Sequence, residues 1–292
     1  MCKFAMKKLE FQTVSIIGVG LLGGSIAKGL KERGISKKII GIGRNPEKLQ
    51  SAKSSGIIDE FTDNVEKGVK TSDAIIICTP VSLILDFLKK ILPHIKDNCL
   101  ITDVGSTKKS IVIGARKIMG DKQNFIGSHP MAGSEKSGAE FSNPDLFKNA
   151  TCILTPDKNT PREIINKAKR FWKLLEANVI VLNPAQHDKL IAAISHIPQL
   201  SAVSLSRLVY EMSEDINLIR SIVGNGFRDA TRTAQGSPQM WKDIYIDNKE
   251  AIVILIDKLI NILTDFRNKI NSEDEEYLLK KLTEIKEFRR KI

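Results

Sequence analysis

The sequence predicts an α/β N-terminal domain, doubly wound about a mostly parallel sheet over residues 1–183, followed by an all-α C-terminal domain over residues 184–292. Three observations carry this expectation. From residue 14 to about 183, short β-branched runs alternate with helical patterns, the mark of a parallel sheet wrapped by helices. After Asn183-Pro184 the β signals stop, and apolar residues recur at helical spacing to Ile292. A chain of 292 residues also exceeds one ordinary core, since roughly 150 residues make a usual domain.

The expected strands, taken in order, are residues 13–17, 39–42, 74–78, 100–103, 125–127, 151–154 and 179–182. In the helical part, breaks are expected at Gly224, Gly226, Gly236-Ser237-Pro238 and Asn271-Ser272. Residues 251–270 carry apolar side chains at 252, 255, 256, 259, 262, 263, 266 and 270, a period of about 3.6. Val253 and Ile254 make the start of that helix apolar nearly all round. Such a helix needs cover on several sides, which predicts a homodimer through the helical domain. Ser272-x-x-Glu275, ahead of Leu278, Leu279 and Leu282, reads as a capping box opening a last amphipathic helix.

Composition excludes several classes. With 42% hydrophobic and 27% charged residues the chain is globular, and no window approaches the ~18 apolar residues of a membrane span. No apolar core follows the basic residues at the N-terminus, so the expected location is cytoplasmic. Cys2, Cys78, Cys99 and Cys152 show no paired spacing; they read as inert thiols, and no metal site is expected. The net charge of +11 comes without aromatic interleaving or a nucleic-acid-binding module, so neither nucleic acid nor membrane is expected as a partner. A positive field does suit a dinucleotide phosphate or a dicarboxylate.

Gly18-Val19-Gly20-Leu21-Leu22-Gly23 follows the first strand directly and opens a helix. In that setting the first glycine permits the turn, the second admits a pyrophosphate to the backbone, and the third lets helix and sheet approach. The N-terminal domain is therefore Rossmann-type, with Gly18, Gly20, Leu21, Leu22 and Gly23 at the cofactor. NAD-binding domains place an acid at the end of the second strand. Here that stretch is Gly41-Ile42-Gly43-Arg44-Asn45-Pro46, with no carboxylate, and Arg44 is placed to pair with a 2′-phosphate. NADP is favoured over NAD, the alternative being that Arg44 is an exposed turn residue and NAD binds without the acidic contact. Thr79 and Pro80, after the third expected strand, border the same ligand.

Reactive groups in an open α/β sheet lie beyond the carboxyl ends of the strands. Two polar clusters fit: Asp103-Val104-Gly105-Ser106-Thr107-Lys108, and the stretch from Gly127 through Ser128-His129-Pro130-Met131-Ala132-Gly133-Ser134 to Gly138. His129 alone among the four histidines falls at the carboxyl end of a strand.

These clusters and the glycine loop, with His187-Asp188, Ser195-His196-x-Pro198, Gly226-Phe227-Arg228-Asp229-x-Thr231-Arg232 and Met240-Trp241, closely resemble the prephenate/arogenate dehydrogenase family over nearly the whole chain. The resemblance implies that hydride leaves a ring carbon bearing a hydroxyl, the hydroxyl proton departs, and the ring carboxylate is lost as CO2. His129 suits the base, with an unperturbed imidazole pKa near ~6.5. Ser106 is expected to hydrogen-bond the same hydroxyl or orient the imidazole, the alternative being a plain turn residue.

Arg228 and Arg232, four apart, share a helical face. The resemblance favours Arg232 as ligand of the side-chain carboxylate, with Arg228 a second candidate or else paired with Asp229 or an inter-subunit acid. His196, Gln199 and Ser134 complete the expected substrate set. Pro198 should kink the helix between His196 and Gln199. Some family members carry a second histidine in place of Gln199, so tyrosine inhibition does not transfer. His187 and His94 are read as surface or capping histidines.

Two rival classes stand beside this reading. One is another NAD(P)-dependent dehydrogenase or reductase with a helical dimer domain, such as a β-hydroxyacid dehydrogenase or pyrroline-carboxylate reductase, against which His129 and Arg232 together argue. The other is a non-catalytic NADP-binding protein, which would bind cofactor without turnover.

Overall fold

The computed structural model describes residues 10–120, 122–134, 136–212 and 214–292. Its sheet has eight strands: β1 (Phe11–Ile17), β2 (Ser36–Ile42), β3 (Glu60–Thr62), β4 (Ala74–Ile77), β5 (Leu100–Asp103), β6 (Phe125–Pro130), β7 (Thr151–Thr155) and β8 (Asn178–Val181). They lie in the order β3-β2-β1-β4-β5-β6-β7-β8. All pairings are parallel except β6 with β7, which is antiparallel. The chain winds outward from β1 in both directions, so a crevice opens where β1 and β4 part.

The doubly wound expectation holds, and its strand count rises from seven to eight. β3 escaped the sequence reading because it is three residues long, Glu-Phe-Thr, with Glu60 exposed and no apolar run. The described residues between β6 and β7 hold no α-helix, only a 3-10 turn at Ala139–Phe141. An antiparallel neighbour needs no helical crossover, which is why this connection is loop.

Alternation along the strands explains the two cores. Val14 and Ile16 of β1, with Ala74 and Ile76 of β4, face one side; Ile17, Ile75 and Ile77 face the other. The first face is covered by α1 (Leu21–Glu32) and α6 (Arg162–Leu174). There Trp172 packs edge-on against Phe147 and Phe171, each at 5.4 Å between ring centroids. The second face is covered by α4 (Ile84–Ile91) and α5 (Lys109–Met119), through Ile84, Leu88, Ile91, Ile111 and Val112. Cys99 and Cys152 are buried and Cys78 half-buried, all three free; burial pushes the Cys99 thiol up to about 12. Cys2 lies outside the described residues.

Asn183 caps α7 (Pro184–Ile191), from which the helical part continues as α8 (Ile197–Met212), α9 (Ile216–Ile222), α10 (Asn225–Thr231), α11 (Pro238–Asp247), α12 (Lys249–Asn271) and α13 (Glu275–Arg289). The expected breaks at Gly224, Gly236-Ser237-Pro238 and Asn271-Ser272 are present, but Gly226 lies inside α10. The expected capping box does not form. Asp274 is the N-cap of α13 and accepts from Tyr277 N at 3.0 Å, while Ser272 ends α12. A carboxylate two residues closer to the helix displaces the serine from the capping role.

Pro198 acts differently from expectation. Lacking an N–H, it cannot complete the α-helical bond to the carbonyl four residues back, and the chain answers with a π-helix at Ala192–His196 immediately before α8. On α12 the interior claims Ile252 alone, while Val253, Ile254, Ile260, Ile262, Leu263 and Ile270 are exposed. That apolar face asks for cover, as the periodicity predicted. No helix among the described residues is long and apolar enough to cross a membrane.

Candidate active site

The glycine loop shows three different constraints. Gly18 stands at φ +95°, and a Cβ there would lie 2.7 Å from the carbonyl oxygen of Cys78, so only glycine fits the turn. A Cβ on Gly23 would meet the Gly18 oxygen at 2.3 Å, which fixes how closely α1 approaches β1. A Cβ on Gly20 would meet nothing within 4 Å. Gly20 is the N-cap of α1 without a side-chain cap, and no acid occupies the first turn, so the amide groups of this helix end face open space. Leu21 and Leu22 form that turn, both half-buried. Thr79 flanks Gly18, its Oγ1 buried without a hydrogen-bond partner among the described residues, and Pro80 is exposed beyond it. An open helix terminus, a glycine cradle and an unsatisfied hydroxyl suit a dinucleotide diphosphate. Arg44 is exposed just past β2, in no hydrogen bond or ion pair among the described residues.

The second cluster sits where β5 and β6 end. Asp103 closes β5, fully buried against Lys108, whose Nζ donates to its Oδ2. The same carboxylate accepts from Gly105 N at 2.8 Å and from Ser128 N at 3.2 Å. A buried pair is tolerable because its remaining lone pairs are filled in this way. The effect is to hold the 104–107 loop, with half-buried Ser106, beside the end of β6 where His129 lies. Thr102 Oγ1 and Ser128 Oγ, 2.7 Å apart, tie the two strands below it.

His129 Nδ1 lies 2.9 Å from Nε2 of His187, and His187 Nδ1 lies 2.7 Å from Asp188 Oδ1. Asp188 also accepts from the backbone N–H groups of Lys108 and Lys109 at 2.8 and 2.9 Å. His187 is therefore no surface residue: it is 0% exposed, against 8% for His129, and the expectation of a surface or capping role is corrected. His-Asp adjacency at a helix start was the available signal. His94 does lie at the surface, 3.5 Å from Glu66. Burial, then the neighbouring His187, Lys108 and His196, holds the His129 imidazole well below its ordinary range. Burial likewise lowers His187, against the raising effect of Asp188.

His196 closes the π-helix and is fully buried, its pKa lowered by burial to about 4. Its Nδ1 lies 3.2 Å from Asn248 Nδ2, while Nε2 has no partner among the described residues and the ring stands edge-on to Trp241. Gln199 is buried and accepts from the Tyr245 hydroxyl. His129, His187, Asp188, Asn248 and His196 are thus one connected group, and Gln199 joins its far side through Tyr245 and Trp241. Asn248 carried no sequence signal.

The arginines stand apart. Arg228 on α10 and Arg232, which opens the Arg232–Gln235 turn, are exposed, and neither forms an ion pair or hydrogen bond among the described residues, Asp229 included. Both elements pack on α8, the helix that bears Gln199. Ser134 is exposed in the 131–150 connection, its Oγ accepting from Lys136 N. Glu135 lies outside the described residues. No cluster of three or more metal-ligating side chains occurs among the described residues.

A glycine-cradled dinucleotide site facing a buried imidazole at the sheet's carboxyl edge defines an NAD(P)-dependent dehydrogenase with a helical second part. The sequence profile "Prephenate dehydrogenase, nucleotide-binding domain" matches residues 26–181, and "Prephenate dehydrogenase, dimerization domain" matches residues 183–284. The prephenate dehydrogenase of Bacillus subtilis is 37% identical over 279 residues, 95% of this chain and 75% of the relative. The crystal structure of prephenate dehydrogenase from Aquifex aeolicus in complex with hydroxyphenyl propionate and NAD+ superposes with a TM-score of 0.91 at 35% identity, covering 98% of this chain and all of that one. Synechocystis arogenate dehydrogenase superposes at 0.82 with 28% identity, covering 96% and 99%. The chain belongs to the prephenate dehydrogenase family, and its activity is oxidative decarboxylation of prephenate or arogenate with hydride transfer to NAD(P). That membership sets aside the rival dehydrogenase and non-catalytic readings.

Gly20 and Gly23 should separate binding from folding. Gly23→Ala forces a Cβ into backbone and should cost about 1–3 kcal/mol of stability in denaturant unfolding. Gly20→Ala should leave stability unchanged yet weaken NAD(P) by about 1–3 kcal/mol in fluorescence titration, because its Cβ projects to where the diphosphate approaches. The reverse pattern would show that the ligand lies elsewhere.

Proposed function

We propose that residues 1–183 hold the dinucleotide and that residues 184–292 wall the substrate and form a homodimer, with His129 taking the ring-hydroxyl proton. The observation that supports the base assignment most is that His129 is the least enclosed member of the buried histidine group and lies at the end of β6, with its Nδ1 engaged and its Nε2 unengaged. A nicotinamide dinucleotide held at the Gly18–Gly23 loop would supply the hydride acceptor. As hydride leaves the carbinol carbon, the O–H proton passes to His129 Nε2. The C–COO⁻ bond then breaks, its electron pair enters the ring, and the carbinol oxygen becomes phenolate, which retrieves the proton. Ser106, held beside His129 by Asp103, hydrogen-bonds the same oxygen.

Arg232 anchors the side-chain carboxylate, with Arg228 flanking it, and Ser134, His196 and Gln199 complete the substrate wall. His196 and Gln199 act from behind Trp241 and Tyr245, being buried themselves. At the cofactor, Arg44 favours NADP: no carboxylate ends β2, and a free guanidinium stands where a 2′-phosphate would bind. The homodimer places the exposed apolar face of α12 against a second copy. Assaying prephenate and arogenate, each with NAD and with NADP, tests substrate and cofactor together; turnover of neither substrate would overturn the reading.

Substitutions at three positions probe the roles. His129→Asn should lower kcat by about 10²–10⁴-fold with dinucleotide affinity intact. Since the imidazole is held below its ordinary range, the wild-type base stays unprotonated at neutral pH, and kcat/KM should fall only as pH drops below about 6.5. An acid limb above that value would implicate another group.

Arg44→Asp should cost NADP about 1–3 kcal/mol more binding energy than NAD, and equal losses would refute the 2′-phosphate contact. Arg232→Gln should raise KM by the equivalent of about 1.5–3 kcal/mol with a smaller fall in kcat, and Arg232→Lys should restore little. A collapsed kcat at unchanged KM would instead place Arg232 at the reacting ring.

A further inference from the structure

The path from Asp188 to His129 leaves one consistent placement of protons. The Asp188 carboxylate, on α7, already accepts from two backbone N–H groups at the start of α5, so it is an acceptor held at a helix N-terminus. The His187 nitrogen facing it, Nδ1 at 2.7 Å, must therefore carry hydrogen. A neutral imidazole has one N–H, so His187 Nε2 is a lone pair. Facing that lone pair at 2.9 Å, His129 Nδ1 must in turn carry hydrogen, which leaves His129 Nε2 as the unprotonated nitrogen. Burial lowers His187 and His129, and with both rings neutral any other assignment sets two lone pairs or two N–H groups against each other between the rings, or a ring lone pair against the carboxylate.

We propose that Asp188 and His187 form with His129 a three-membered relay that fixes the tautomer of His129 and keeps its Nε2 open as the base nitrogen. Asp188 and His187 are positioning residues, and the relay rests on the reading of His129 as base. When His129 takes the substrate proton, its Nδ1–H bond to His187 becomes charge-assisted, and Asp188 lies next in line to stabilise the imidazolium. No carboxylate touches His129 directly, and the other charged or titratable groups that bear on it are Lys108 and His196, both unfavourable to positive charge. His187 in turn faces Asp188, Lys108 and Asp103. One ring, His187, stands between the base histidine and the carboxylate where hydrolases of the serine type have none, and the orienting logic is the same.

The relay also joins the two parts of the chain. His187 and Asp188 belong to α7, His129 to the sheet, and Asn248, at the start of α12, donates to the Asp188 carbonyl at 2.9 Å.

Two variants and a spectroscopic measurement on the wild type test the proposal. His187→Leu removes both ring contacts. His187→Gln keeps a carbonyl to accept from His129 and an amide N–H to reach Asp188. His187→Leu should lower kcat by about 10²–10⁴-fold while KM and dinucleotide Kd stay within about threefold of wild type. His187→Gln should recover at least about tenfold of that loss. In the ¹⁵N spectrum of the wild-type protein, His129 should show an N–H at Nδ1 and a pyridine-like Nε2.

A wild-type spectrum with hydrogen on Nε2 overturns the relay whatever the variants do. So does a His187→Leu variant with wild-type kcat, or a His187→Gln variant no better than His187→Leu when both bind dinucleotide normally. If wild-type protein turned over neither substrate, the functional reading would fail, and the spectrum would still decide the tautomer.

Discussion

The contact on which the site depends is the Asp188 carboxylate laid across the first turn of α5. One side chain from the start of the helical part accepts two backbone N–H groups of the sheet domain and orients His187. A carboxylate at a helix start usually contributes about 0.5–2 kcal/mol. Here it also fixes geometry, because α5 begins right after the loop that carries Ser106. The proposed base His129, Ser106 and the join between the two parts share one anchor, and a shift in any of them would disturb the others. The buried Asp103–Lys108 pair does the complementary work from below, binding the Ser106 loop to β6 through Gly105 N and Ser128 N. Together the two acids hold the catalytic edge from opposite sides, leaving few degrees of freedom for the proton transfer.

Much of this was legible in the sequence, for physical reasons that differ from place to place. The strands of the parallel sheet announce themselves because both faces are buried, so Ala74-Ile75-Ile76-Ile77 must be apolar throughout. β3 does not, because an edge strand of three residues buries too little to leave a pattern. The glycine loop is readable since each glycine answers a separate steric demand, visible in where a Cβ would land. The capping box misleads because Ser272 and Asp274 are both good N-cap residues, and only the chain's path decides between them.

At the proposed site, residues at strand ends are legible from topology, whereas His196, Gln199, Arg228 and Arg232 of the helical part are named through the family resemblance and the burial of His187 goes unread. His129 and Ser106 lie at the carboxyl edge, where the topology of the fold puts reactive groups. His187 was read as superficial because its partner is 58 positions away in sequence, a separation over which local pattern carries no information. Asn248 was unreadable for the same reason: its side chain bridges the Asp188 carbonyl and His196, and neither contact leaves a local trace. Pro198 shows the opposite limit. Its chemistry required a departure from the α-helix, but the sequence does not say whether the helix kinks or expands into the π-turn that holds His196 beside Asn248 and Trp241.

The helical part makes sense as a surface waiting for its equal. Val253, Ile254, Ile260, Ile262 and Leu263 on α12 are exposed, as are Leu279, Leu282 and Ile285 on α13. At roughly 25 cal/mol per Å² of buried apolar area, covering such a face contributes strongly to stability, and leaving it in water would favour aggregation. In the proposed homodimer a second copy would supply the apolar match without a separate partner, since a two-fold interface sets the same patch against itself. The same assembly would account for how little core α12 builds of its own, Ile252 being its one buried residue. Arg228 and Arg232 lie in this same region in no ion pair among the described residues, Asp229 included, which leaves their charge free for the carboxylate proposed above.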